Sequence, residues 1–253
     1  MNSDTGPGRQ PRAGRRSRTS RRARRWASLA ITLALASLGA GCDGADEPPT
    51  RPETARENAS LGPDVLADRL AEIRRSGDDI ERLGALAALV QRVDLRSSAL
   101  LRSEIVDRSS TWRPFDRLIL LAAWARFSGE AATRWAALAA PKPYRAIALE
   151  LAMAAWARSQ PEAARAAFER DHAGDTAAMA GLVAGWLESD PKGLRAFIEG
   201  LDLSLDTGQH GVAVYVRRLI ERDGTAAAEA WAEGRSAVWN PRRTRHLYRQ
   251  VAS

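Results

Sequence analysis

The chain has 253 residues, and its formal net charge of +7 at first suggests a nucleic-acid binder. Residues 1–41 hold nine arginines and one acid, Asp4, which leaves 29 basic and 30 acidic side chains in the remainder. A nearly neutral remainder lacks the positive surface that phosphate-backbone binding needs, so no nucleic-acid partner is expected. The single cysteine, Cys42, excludes an intramolecular disulfide and a cysteine-based metal site.

Residues 1–25 are polar and arginine-rich, and Trp26 to Gly41, WASLAITLALASLGAG, is uncharged and apolar. Sixteen residues are short for a bilayer span, which takes about 20, but they suit the apolar core of an export signal behind a positive segment. The run meets Cys42 directly. Leu38, Gly39, Ala40, Gly41 and Cys42 resemble a bacterial lipobox, with Gly39 where that pattern prefers leucine. The resemblance implies cleavage before Cys42, which would carry the lipid (diacylglycerol and a palmitate-type acyl chain) on a periplasm-facing protein. An ordinary cleaved signal, or an uncleaved single-pass inner-membrane anchor with its arginines inside, are the alternatives.

Asp43 to Ser60, DGADEPPTRPETARENAS, has three prolines and no large apolar residue. It reads as a disordered tether, because it has nothing to bury against the entropy of ordering. The domain plan is therefore a signal over 1–41, a lipidated cysteine and tether over 42–60, and a folded domain over 61–253.

From Pro63 the pattern is helical throughout. Val65, Leu66, Leu70 and Ile73 make an apolar stripe that stops at Ser76 and Gly77; further helices are expected over 79–93 and 98–108, then a loop over 109–113. Four hairpins follow: 114–127 with 130–140, 144–158 with 161–171, 176–188 with 191–201, and 209–222 with 225–233. Trp124, Trp156, Trp186 and Leu219 lie 32, 30 and 33 residues apart, and each is followed five residues later by Gly129, Pro161, Pro191 or Gly224. A second aromatic comes six or seven residues after that: Trp135, Phe168, Phe197 and Trp231. A fainter copy places Leu89 in the tryptophan role and Asp94 in the turn. Asp190 and Thr225 are expected to cap second helices. No stretch after Cys42 alternates with period two, so no sheet is expected.

One hairpin cannot bury its own apolar face, so at least about three must stack. The fold class expected is all-α, an α-solenoid of about four to five stacked helical hairpins with a C-terminal capping helix. The Ala164 and Phe168 pair, and the Ala227 and Trp231 pair, sit four apart within SQPEAARAAF and RDGTAAAEAW. These segments resemble the turn and second helix of a tetratricopeptide repeat over about 115–233. The resemblance implies a right-handed solenoid that binds proteins or peptides in a groove.

Residues 234–253 differ. Pro241 is expected to start a final helix whose Leu247 and Val251 pack back, with Arg242, Arg243, Arg245, His246 and Arg249 making it basic. The plain reading is a solubilising cap; the sharper one is a contact with anionic headgroups or an acidic partner.

Catalysis has little to stand on. His172, His210 and His246 are far apart, and no HExxH, GxSxG, P-loop or GxGxxG spacing occurs. Asp202 and Asp206 could pair as carboxylates but fall in the expected loop LDLSLDTG. Neither a metal nor a cofactor is expected, and the chain reads as a non-enzyme. Trp124, Trp156 and Trp186 recur at equivalent positions and are expected in the core. Trp112 and Trp239 lie outside the register, in expected loops, and with Arg242, Arg243 and Arg245 form the candidate partner-binding set. The function expected is a lipid-anchored envelope scaffold that binds another envelope protein or peptide. The alternative is an enzyme or accessory factor acting on or binding envelope glycan, with the two out-of-register tryptophans stacking sugars.

Overall fold

A computed structural model describes residues 61–235, all of which belong to one compact unit. The described residues form eleven α-helices and no strand. They are α1 (Pro63–Arg75), α2 (Asp79–Gln91), α3 (Ser98–Val106), α4 (Pro114–Ala125), α5 (Gly129–Leu138), α6 (Arg145–Ser159), α7 (Pro161–Ala167), α8 (Thr176–Ser189), α9 (Pro191–Glu199), α10 (Asp206–Asp223) and α11 (Thr225–Glu233). Short 3₁₀ turns precede α3, α4 and α6, and α7 runs on into a single π turn over Phe168–His172.

The breaks that the sequence marks are the breaks observed. Proline opens α1, α4, α7 and α9, at positions where its missing N–H has no intrahelical partner to lose. Asp190 caps α9, its carboxylate accepting from the Gly193 N–H at 3.0 Å, and this bond holds the carboxyl below the usual range. Three successive links consist of three, one and one residues, and their capping residues share one backbone conformation. Ser128, Gln160 and Asp190 have φ of −137°, −147° and −145°. The N–H of each returns to the carbonyl of Trp124, Trp156 or Trp186 at 2.8–3.0 Å. The fourth link differs: Gly224, at φ +87°, is the cap, and Thr225 is already the first helical residue. The cap expected at Thr225 therefore belongs one place earlier, where only glycine takes that φ readily.

Two more boundaries moved. The α10 helix begins at Asp206, three residues before the sequence suggests, because Gly208 is not a breaker there. A β-carbon on Gly208 would overlap the Asp202 carbonyl, and one on Gly211 would stand 2.9 Å from the Met179 sulfur. Both glycines permit close approach within a helix. At the other end, Ser109–Thr111 forms a 3₁₀ turn inside the expected loop.

First and second helices of the hairpins play different parts. In α6, the whole run Leu149 to Ala157 is buried except Glu150, which is half-buried. Glu162 in α7 and Glu169 in the π turn that continues it are exposed. Trp124, Trp156 and Trp186 are buried as expected, at 3%, 6% and 1% exposure. First helices pack on first helices in succession: α2 on α4, α4 on α6, α6 on α8 and α8 on α10, while each second helix packs on the first helix that follows. The α6–α8 crossing is the tightest. A β-carbon on Gly181 or Gly185 would overlap the Glu150 or Ala154 carbonyl, so these glycines let two backbones meet.

A further regularity was not visible in the sequence. Each of these first helices donates a side-chain hydrogen bond to a carbonyl at the C-terminal end of the one before it. Arg126 donates to the Val90 carbonyl, Ser159 to Arg126, Ser189 to Ala157 and Arg222 to Leu187, each at 3.2 Å. Carbonyls at a helix end lack intrahelical partners, and here the next hairpin supplies them. The first bond is accepted by Val90 of α2, so the faint copy around Leu89 shares the pattern as an acceptor.

Candidate functional site

Of the residues singled out from the sequence, Cys42, Trp239, Arg242, Arg243 and Arg245 lie outside the described residues. Trp112 is described, and it is not an exposed loop residue. It is 4% exposed, and its indole N–H donates to Glu104 at 2.9 Å. The Arg74 guanidinium lies over the ring, 5.4 Å from its centroid, and also bonds Glu104 at 3.1 Å, while Arg108 takes the other Glu104 oxygen at 2.7 Å. The 3₁₀ turn before Trp112 swings the ring inward, where it carries a buried carboxylate rather than a sugar or a partner. This corrects the surface role expected for it.

Aligning the first helices on Trp124, Trp156 and Trp186, with Leu89 and Leu219 at the ends, reveals a surface built from equivalent positions. Nine residues before this column stand Ile80, Phe115, Ile147, Ala177 and His210. Two before it stand Ala87, Ala122, Ala154, Ala184 and Arg217, and two after it Gln91, Arg126, Arg158, Glu188 and Glu221. Steps of seven and four keep these on one face of each helix. All of them except Ala154, at 7% exposure, are half-buried or exposed. The face has an apolar end, with Ile80 84% and Phe115 44% exposed. It has a smooth alanine middle, and a charged end where Arg158 grips Glu188 through two bonds of 2.6 and 2.8 Å.

The electrostatics of the face concentrate between α6 and α10. Burial pushes the Glu150 carboxyl above the usual glutamate range, against the opposing pull of Arg218 and Arg217. Burial, helped by Arg217, pushes the His210 imidazole below its usual value. A carboxylate and an imidazole on different helices thus respond to the same arginine across the small side chains of α8.

A second concavity lies between α7 and α9. The α7 helix packs on α5, α6 and α8, whereas α9 packs on α8 and α10, and the space between them is a cleft of about 500 Å³. Phe168, Met179, Trp186 and Phe197 floor it, the last two rings 5.4 Å apart. Its charged rim is Glu162, Arg165, Glu169 and Asp202. Arg165 lies over the Phe197 ring and bonds Glu169 at 2.8 Å. No group of three His, Cys, Asp or Glu side chains among the described residues is arranged to hold a metal ion. Among the same residues no helix is long and apolar enough to cross a membrane. Asp202 and Asp206, considered above as a pair, serve local structure: Asp202 accepts from the Ser204 N–H at 2.8 Å, and Asp206 opens α10.

Neither the face nor the cleft was found from the sequence, although the signal for the face was present. The tryptophan register fixes which positions are equivalent, and counting back nine and two along each copy isolates the exposed strip.

Comparison with family models, with curated proteins and with solved structures gives no match to the chain.

Proposed function

We propose that this chain is an exported helical-hairpin scaffold, anchored through a lipid on Cys42, whose first-helix face binds another envelope protein or peptide. The observation that carries the binding half is the strip of equivalent positions: Ile80, Phe115 and Ile147 beside a band of alanines, an apolar surface repeated from hairpin to hairpin. Exposed apolar side chains at equivalent positions suit an extended or helical partner that meets several hairpins at once. The four cross-hairpin carbonyl bonds and the succession of first-helix contacts support a solenoid of stacked hairpins; its right hand is what the tetratricopeptide resemblance implies. The anchoring half rests on the arginine-rich start, the apolar run and Cys42 directly after it.

The test places a photo-crosslinking amino acid at Phe115 in the full-length chain and irradiates whole cells. One specific envelope protein should be captured, and the capture should be lost when Ile147→Asp is added while the helical signal of the purified protein is kept. Capture of nothing, or capture indifferent to Ile147→Asp, sinks the binding reading. Intact mass of the membrane-extracted protein beside a Cys42→Ser version decides the anchor separately: cleavage before Cys42 with added acyl mass supports it, and an unacylated chain overturns it.

A further inference from the structure

The α7–α9 cleft belongs to the other layer of helices and is unused by the proposed docking face. Its floor is aromatic and its rim is net acidic: three carboxylates, Glu162, Glu169 and Asp202, stand against the single guanidinium of Arg165. That guanidinium is already engaged by Glu169 at 2.8 Å and Glu162 at 3.9 Å. The chemistry that fits is a cationic segment with large apolar side chains.

The chain carries such a segment. Residues 236–253 contain Val238, Trp239, Leu247, Tyr248 and Val251 together with Arg242, Arg243, Arg245 and Arg249, and no acid. The point of departure also fits. Arg235 pairs with Glu199, and Glu199 is followed directly by Gly200, Leu201 and Asp202 of the cleft wall. Eighteen residues reach at most about 60 Å when extended, ample for a cleft that begins beside the exit. The tether over 43–60 is excluded as occupant by its charge, since five acids outnumber Arg51 and Arg56 and would repel the rim.

We propose that the cleft between α7 and α9 seats residues 236–253 of the same chain, with apolar side chains on the Phe168, Trp186 and Phe197 floor and arginines against the carboxylate rim.

The experiment uses the full-length chain with a photo-crosslinking amino acid at Ala196 or, independently, at Leu205, both exposed cleft residues, and maps the linked peptides by mass spectrometry. Links to 236–253 within monomer-mass protein are expected from both sites. Their yield should fall by about fivefold or more on Glu162→Lys with Glu169→Lys, and recover when Arg242→Glu and Arg245→Glu are added. Links to a second copy, to another protein or to a different stretch of the chain would overturn the proposal, as would absence of links from both sites or a yield indifferent to charge reversal. These readouts are independent of lipidation and of any captured envelope partner.

Discussion

The indole ring of Trp156 lies against Gly129 so closely that a β-carbon there would overlap the ring atoms Cγ, Cδ1 and Cδ2. Two residues read from the sequence as repeat markers, one an aromatic and one a turn residue, are thus a single interlocking contact between successive hairpins. Trp156 lies in the last turn of α6 and Gly129 opens α5, and the fit leaves no room for even one methyl group.

Gly129→Ala is accordingly expected to destabilise the fold by roughly 1–3 kcal/mol, the usual range for overpacking a filled site. Gly84→Ala should do the opposite. Gly84 is exposed inside α2 with nothing within 4 Å of a new β-carbon, so alanine should stabilise by about 0.5–1 kcal/mol. Urea midpoints of the two variants, moving in opposite directions from the parent, check both.

A buried ion pair fixes α2 to α4. Arg82 Nε donates to Asp116 at 3.0 Å, and the two side chains are 4% and 2% exposed. Asp116→Ala leaves the guanidinium buried, with Asp79 at 2.8 Å as its remaining carboxylate, and should cost about 3–5 kcal/mol. Replacing both residues by leucine should cost much less, because the desolvation of both charges disappears with the pair. A double-mutant cycle measured by chemical unfolding separates these outcomes.

The hydroxyls that reach back across hairpins should each be worth an ordinary hydrogen bond. Ser159→Ala and Ser189→Ala are expected to cost about 0.5–1.5 kcal/mol apiece. Their sites are served by different carbonyls, Arg126 and Ala157, so the costs should add. Hydrogen exchange in the last turns of α4 and α6 should quicken in the respective variants.

Two groups on the first-helix face give opposite pH dependences. Burial raises the folded pKa of Glu150, so its ionisation penalises the fold: this destabilisation is present above the raised value and is relieved as pH falls toward the ordinary glutamate value. Burial and Arg217 lower the folded pKa of His210. The unfolded chain then takes the proton first as pH falls, and stability is lost from the ordinary histidine value down to the lowered one. Glu150→Gln should therefore raise the urea midpoint at pH 7, while His210→Asn should flatten the decline between pH 7 and 5.

Much of the helical layout was legible because it is written in local chemistry. Prolines at 63, 114, 161 and 191 open helices, Asp190 caps one, and apolar periodicity fills the spans between. What misled was glycine. Gly208 read as the end of the loop LDLSLDTG, yet it lies inside α10 and makes a close approach to Asp202 that only the fold brings about. Trp112 misled for a related reason. Its partners, Glu104 eight residues before it and Arg74 on another helix, become neighbours through tertiary packing, so spacing gave no hint of its burial. The cleft between α7 and α9 is a gap between elements, and a gap has no residue pattern of its own.

The carbonyl bonds between hairpins run one way. Among the described residues, each later first helix serves the one before it, from Arg126 back to Val90 and onward to Arg222 back to Leu187. The array therefore has a polarity that its near-repeating sequence conceals, and its two ends are unequal under erosion. Losing the first hairpin strips no served carbonyl from those that remain, whereas losing the last one bares Leu187. A duplicated hairpin would bring the accepting backbone carbonyl with it whatever its sequence, so the one side chain it must supply to continue the pattern is the donor for its predecessor.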